Sequence, residues 1–289
     1  VLDVAQPTAG HIPVLHAIVL GMTQGLSEFL PISSSGHLIL VPWLFGWKEL
    51  TGGANAELNK TFDVALHVGT FLATVVYFRV ELGRLAAAGV GSVRRRAVRT
   101  PDERLAWLLL LSAVPGAIVG ALFESAIDEH LGRIWLIAVM LIVFGLVLAA
   151  ADRLPGHRQE QEYGRRAAVI MGAAQAVALS PGVSRSGITI TAGRWLGFER
   201  DAAARLSFLM SLPITGGAAL YKGAKLAAHG LPPGTEAAFV WGIVASAVTG
   251  LAAVWFVLKV VQTRSFLPFV AYRVLAGTAV LALLASPLR

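Results

Sequence analysis

The chain has 289 residues, 56% of them apolar and only 14% charged, with a net charge of +7. Soluble globular domains run at about 45–50% apolar and about 25% charged, so disorder, a coiled coil and an ordinary soluble enzyme are excluded. A mean hydropathy of +0.69 and uncharged runs long enough to cross ~30 Å of hydrocarbon point to an all-α polytopic membrane protein.

In chain order, Val1–Gly10 lacks a basic n-region, so no cleavable signal peptide is expected. Ile12–Phe45 is apolar but interrupted by Pro31-Ile32-Ser33-Ser34-Ser35-Gly36. Three uninterrupted spans follow: Thr61–Leu82, Leu105–Leu122 and Ile134–Ala151. A second broken stretch, Ala167–Leu196, carries Pro181-Gly182-Val183-Ser184-Arg185-Ser186-Gly187 and precedes the spans Arg205–Gly223, Ala237–Leu258 and Pro268–Ala285. A Pro-Ser-Gly segment continues a helix poorly, and bare backbone in lipid is worse unless protein or a polar cavity satisfies it. Both broken stretches therefore read as re-entrant helical hairpins, beside six transmembrane helices.

Charge placement sets the expected orientation. Fifteen Lys and Arg residues fall in four loops on one side, six on the other, and three (Arg79, Arg185 and Arg273) within apolar stretches. The richer side is expected to be cytoplasmic, and basic residues confined to short loops argue against nucleic acid as the partner. Arg79 and Arg273 are expected to snorkel to that surface. Arg94-Arg95-Arg96 reads as a topology determinant that also attracts anionic lipid. Both termini then face outward, and the two hairpins enter from opposite faces. At a constant offset of 151, Gly21, Gln24, Ser33, Ser35 and Gly36 match Gly172, Gln175, Ser184, Ser186 and Gly187. Three spans between the hairpins invert the second copy, so the chain reads as one membrane domain, 1–289, with inverted-topology repeats at 11–151 and 152–289. Such repeats place their sites midway, at the repeat interface.

The chemistry-bearing residues gather at the two breaks. Gln24 and Glu28 share one helix face, and an acid at membrane depth is a functional candidate by default, although a Glu near the interface can also snorkel into headgroups. Ser33, Ser34 and Ser35 open a short helix whose hydroxyls and free N–H groups suit an anion. One Ser would suffice for a cap, leaving two to explain. His37 follows and can relay protons or hold a phosphate oxygen. In the second break, Arg185 needs an anion, and its planar fork fits phosphate oxygens or, alternatively, Glu28 itself. Ser184, Ser186 and Thr189 add hydroxyls. If the breaks meet, they form one pocket polarised for a multiply charged anion. Asp63 and His67, an i, i+4 pair, read as a peripheral or metal-related pair or simply as interfacial polarity. The remaining histidines (His11, His16, His130, His157 and His229) have no ligand spacing. With no cysteine there is no thiolate nucleophile and no Cys zinc site.

The run from Gln24 to His37, QGLSEFLPISSSGH, resembles the first signature of undecaprenyl-diphosphate phosphatases of the bacitracin-resistance type. Pro181–Thr189, PGVSRSGIT, resembles their second, and Arg205–Pro213, RLSFLMSLP, another segment of that family. One departure stands out: the first position of the Glu/Gln-x-x-x-Glu pattern is Gln24, where some members offer a second carboxylate. The resemblance implies hydrolysis of undecaprenyl diphosphate to undecaprenyl phosphate and inorganic phosphate, which recycles the lipid carrier for peptidoglycan. It implies bacitracin resistance, because the antibiotic sequesters the diphosphate lipid. It also implies an inner-membrane protein, a divalent cation (Mg²⁺ or Ca²⁺), a site reached from the periplasm, and leaves room for a homodimer.

On that reading Arg185 and the hairpin N–H groups hold the diphosphate, while Glu28 serves the metal, with Gln24 beside it, or acts as general base. Ser34 is the preferred nucleophile, and His37 activates it or protonates a product oxygen. Attack by metal-activated water, with Ser34 only a phosphate donor group, is equally compatible. A secondary transporter or polyprenyl-phosphate flippase is the alternative from another class, since broken helices in inverted repeats also build carriers.

Overall fold

The computed structural model describes residues 12–51, 56–229, 231 and 233–287. Val1–Gly10, the segment behind the signal-peptide expectation, lies outside them. The described residues form twelve α-helices: α1 Val14–Phe29, α2 Ser34–Phe45, α3 Lys48–Thr51, α4 Ala56–Tyr77, α5 Arg79–Arg95, α6 Pro101–Leu131, α7 Ile134–Asp152, α8 Arg165–Val177, α9 Arg185–Trp195, α10 Arg200–His229, α11 Glu236–Val261 and α12 Leu267–Ala285. Among the described residues there is no strand, only an isolated bridge between Arg158 and Phe198. Five helices among the described residues (α6, α7, α10, α11 and α12) are long and apolar enough to cross a membrane, and the α4–α5 pair makes a sixth if taken together.

The span expected at Thr61–Leu82 ends earlier. At Phe78 the chain bends by 85° and continues as α5. The cause is chemical: after Tyr77 the sequence turns to Arg79, Glu81 and Arg84, which have no place in hydrocarbon. Phe78 is buried at the bend under the Arg205 guanidinium, 5.6 Å from its ring centroid. Arg205 also pairs with Glu81 at 2.8 Å and with Glu160 at 3.0 Å, tying α5, α10 and the turn at Glu160–Glu162 together. Arg79 opens α5 and donates to the Val76 carbonyl at 3.1 Å. The start of α6 carries a full capping box, with Thr100 accepting from the Glu103 N–H, Glu103 accepting from the Thr100 N–H, and Pro101 at the first helical position.

Packing brings both breaks to the centre. α1 lies against α11 and α8 against α6, while α9 is held among α7, α8 and α10. The α1–α11 contact is close because its facing residues are small. A Cβ on Gly21 would collide with the Gly242 carbonyl oxygen, and one on Gly25 with the Thr249 hydroxyl. Gly172 on α8 likewise abuts the Ser112 carbonyl of α6, 2.5 Å from where a Cβ would sit. Small residues let backbones approach where lipid supplies no hydrophobic driving force between helices.

Candidate active site

Each break ends in a serine with an unusual backbone. Ser33 has φ +79° and Ser184 φ +75°, a region non-glycine residues rarely occupy and which stores ~1–3 kcal/mol each. The reward is a capped helix start: Ser33 Oγ accepts from the Gly36 N–H at 3.4 Å, and Ser184 Oγ from the Gly187 N–H at 3.1 Å. The two breaks are stitched to one another. Ser33 Oγ also accepts from the Gly182 N–H at 3.0 Å, and Ser186 Oγ donates to the Leu30 carbonyl at 3.1 Å.

This contact places Arg185, at the start of α9, on Glu28, at the end of α1. Arg185 Nη2 and Nε lie 2.9 and 3.3 Å from Glu28 Oε1, and Nη1 donates to the Ser207 carbonyl at 3.1 Å. The other carboxylate oxygen, Oε2, accepts from Ser34 Oγ at 2.6 Å and from Gln24 Nε2 at 3.1 Å. Glu28 is thus buried but fully partnered, as an acid removed from water must be. A cavity of about 260 Å³ opens beside it, lined by Glu28, Ser34, Ser35, Ser184, Arg185 and His67 among others.

Of the residues expected from sequence, the structure brings Gln24, Glu28, Ser34, Ser35, Ser184 and Arg185 into or against this cavity. Ser33, Ser186 and Thr189 do not line it. The first two spend their hydroxyls on the stitch, and Thr189 Oγ1 bonds the Arg185 carbonyl at 2.7 Å and Ser207 Oγ at 2.7 Å. They hold the wall rather than the contents. His37 is also turned away: its Nδ1 is 2.7 Å from the Ser33 carbonyl and its Nε2 2.7 Å from the Tyr272 hydroxyl. With both ring nitrogens engaged there, it makes no hydrogen bond to Ser34 or Glu28.

The histidine at the cavity is His67 on α4, which the sequence placed at the periphery. Its Nδ1 donates to the Asp63 carbonyl at 2.8 Å, so Nε2 faces Glu28 Oε2, 3.8 Å away.

Arg273 corrects another expectation. It does not snorkel but is completely buried. Its guanidinium reaches the carbonyls of Pro31 (3.0 Å), Gly182 (2.9 Å) and Val183 (3.0 Å) in the two breaks, and of Leu141 (3.0 Å) and Met140 (3.3 Å) on α7. Among the described residues no carboxylate pairs with it. The signal was available, because an arginine inside an apolar span demands a partner.

The donor set bears on the divalent cation. Among the described residues no group of three or more His, Cys, Asp or Glu side chains gathers. Glu28 is the one carboxylate at the cavity, but Gln24 Oε1 beside it is buried with no hydrogen-bond partner. These two oxygens do not form an all-protein cage, so a divalent cation here would need further oxygens from a bound phosphate, as Mg²⁺ sites usually do.

Comparison with known proteins agrees with the two signatures. The family described as bacitracin resistance protein BacA matches residues 17–279. An undecaprenyl-diphosphatase of Pelobacter propionicus is 51% identical over 273 residues, 94% of this chain and 97% of the relative. The Geobacter sulfurreducens undecaprenyl-diphosphatase is 49% identical over 273 residues (94% and 98%), and that of Moorella thermoacetica 44% over 270 residues (93% and 97%). Likeness of this degree, running through both breaks and all the long helices, makes the chain a member of the BacA family.

Proposed function

We propose that the chain hydrolyses undecaprenyl diphosphate to undecaprenyl phosphate and inorganic phosphate in the Glu28–Ser34–Arg185 cavity, recycling a lipid carrier and conferring bacitracin resistance. One observation carries the reading: a hydroxyl sits 2.6 Å from a carboxylate that is itself 2.9 Å from a guanidinium, beside an open cavity. These are a nucleophile, a proton acceptor and an anion anchor in one place, the parts that phosphoryl transfer requires.

Substrate binding exchanges partners. The diphosphate takes Arg185, whose planar fork accepts two oxygens, and this frees Glu28 Oε1 from the ion pair. As Ser34 Oγ attacks the terminal phosphorus, its proton passes to Glu28 Oε2. The bridging P–O bond breaks and undecaprenyl phosphate leaves. Water then attacks the phosphoserine and gives a proton to Glu28, the P–Oγ bond breaks with Ser34 Oγ taking a proton back from the Glu28–His67 pair, and inorganic phosphate leaves. His67, with Nε2 facing Glu28, is the imidazole placed to accept the proton that Glu28 took up. A divalent cation held by Glu28 and Gln24 Oε1 would add charge neutralisation on the diphosphate oxygens.

Six spans and two re-entrant hairpins in inverted repeats, residues 11–151 and 152–289, fit the packing. The contact of α1 with α11 has its counterpart in that of α8 with α6, and Ser33 and Ser184 cap their helices alike. With the arginine-rich side cytoplasmic in the inner membrane, α10 runs outward from Arg200. The cavity touches Ile214, Thr215 and Ala218, in its outer half, which supports entry from the periplasmic side. The tail stays in lipid while the head enters. Every group comes from a single chain, so the proposal needs no second copy.

The test is phosphate release from undecaprenyl diphosphate by the purified chain in detergent, without any gradient. Turnover is expected for the wild type, and its absence would favour the carrier alternative. Ser34→Ala is expected to lose at least ~10²-fold, with a phosphoserine trappable in the wild type; ample turnover in the variant would shift the reaction to direct attack by water. EDTA is expected to lower turnover, with Mg²⁺ or Ca²⁺ restoring it. Full activity after exhaustive chelation would remove the cation from the scheme.

A further inference from the structure

A second concavity, sharing no lining residue with the cavity just described, lies between α5 and the first turns of α6. Its volume is about 440 Å³, within the ~300–1,000 Å³ range of ligand pockets, and its walls are almost wholly apolar. Val90 and Val93 of α5 form one side, Trp107 and Leu110 of α6 the other, and the exposed Arg94 lines it too. We propose that this groove holds an acyl chain of an anionic phospholipid whose headgroup phosphate rests on Arg94.

Three features point to that occupant. The first is placement: α5 leaves α4 at 85°, so it runs along the membrane surface if α4 crosses the bilayer. The second is charge. Arg95 is paired with Glu103 and Arg84 with Asp102, whereas Arg94 and Arg96, both exposed, have no carboxylate among the described residues. The paired arginines fasten α5 to α6 and leave the groove's own arginine for an anion. The third is continuity. From the groove, the exposed face of α6 continues as Leu110, Val114 and Ile118, one stripe along the helix into the bilayer. A chain entering at Trp107 has an apolar track below an arginine at headgroup level. Trp107 Nε1 donates a hydrogen bond of 2.8 Å to Ser92 Oγ, which ties the indole of α6 to α5. A zwitterionic lipid would fill the groove equally well but would bring no net negative charge to Arg94.

The experiment uses the full chain purified in mild detergent, equilibrated with equal amounts of phosphatidylglycerol and phosphatidylcholine of matched chains, with retained lipid counted by native mass spectrometry. Phosphatidylglycerol is expected to be enriched about 5-fold for a single arginine contact, and the enrichment is expected to shrink in 0.5 M salt. Arg94→Gln should bring the ratio to about one while phosphate release stays unchanged, since the groove shares no lining residue with the Glu28 cavity. Val93→Trp, which fills the groove, should lower total retained lipid with Arg94 intact. Equal retention of the two lipids by the wild type would overturn the proposal, as would enrichment that survives in Arg94→Gln. Displacement of phosphatidylglycerol by stoichiometric undecaprenyl phosphate would overturn it too, assigning the groove to the polyprenyl lipid.

Discussion

Arg185→Met is expected to lower kcat/KM for undecaprenyl diphosphate by about 10³-fold or more, in the range seen where an arginine stabilises a transferring phosphoryl group. Arg185→Lys is expected to recover only a small part. The guanidinium uses Nη2 and Nε on Glu28 and Nη1 on the Ser207 carbonyl at the same time, and an ammonium is a point charge that cannot span those directions. Stability should respond differently from activity. Glu28 is only 6% exposed, so removing its cation leaves a buried carboxylate with two neutral donors, a loss on the order of 3–5 kcal/mol. Adding Glu28→Gln removes that unpaired charge, so the double variant should regain most of the thermal stability while remaining inactive. Thermal unfolding in detergent, alongside phosphate release, checks both halves. Restored activity in the double variant, or a single variant as stable as the wild type, would mean that the pair does not hold the site as described.

The parts of the site legible in the sequence were those whose burden is local. Glu28 and Arg185 stood out because charge at membrane depth is costly whatever surrounds it, and the serines stood out because they interrupt apolar helices. That Ser34 is the hydroxyl on Glu28 agrees with its choice as nucleophile, but its cause was not legible. Ser33, Ser34 and Ser35 are equivalent in composition, and only the +79° backbone at Ser33 turns that residue into the cap and releases Ser34 to Glu28. His37 and His67 exchanged places for a related reason. Adjacency in sequence favoured His37, but one helical turn carries it round to Tyr272, 235 residues away, whereas α4 delivers His67 from a different part of the chain. The early end of the first span at Tyr77 was masked because Val80 and Leu82 keep the window apolar around Arg79 and Glu81. The hidden role of Arg273 depends on acceptors from three separate segments, none of which is marked by side-chain type.

That role leads to the second large effect. Arg273→Met is expected to destabilise the fold by several kcal/mol and to abolish activity together with it. The guanidinium satisfies Pro31, Gly182 and Val183, whose carbonyls lie in broken backbone with no helical partner to return to. Leaving a buried acceptor unpaired costs ~1–3 kcal/mol each, against a total stability of about 5–15 kcal/mol for a typical domain. The fold makes room for this side chain specifically. A Cβ on Gly145 would sit 3.2 Å from Arg273 Cβ, and one on Gly187 3.0 Å from its Nη1. Arg273→Lys tests positioning against bulk: it keeps a charge and three donors, enough for some of the five carbonyls but not for both breaks and α7 together. It is therefore expected to fold with a lowered thermal midpoint and to lose kcat more than it raises KM, because Arg185 still binds the diphosphate while Ser34 and Glu28 are no longer held in register across the stitch. Gly145→Ala should push Arg273 in the same direction with the arginine intact. If Arg273→Met unfolds at the wild-type temperature, or Arg273→Lys changes KM alone, the breaks are held by their own serines and Arg273 is incidental.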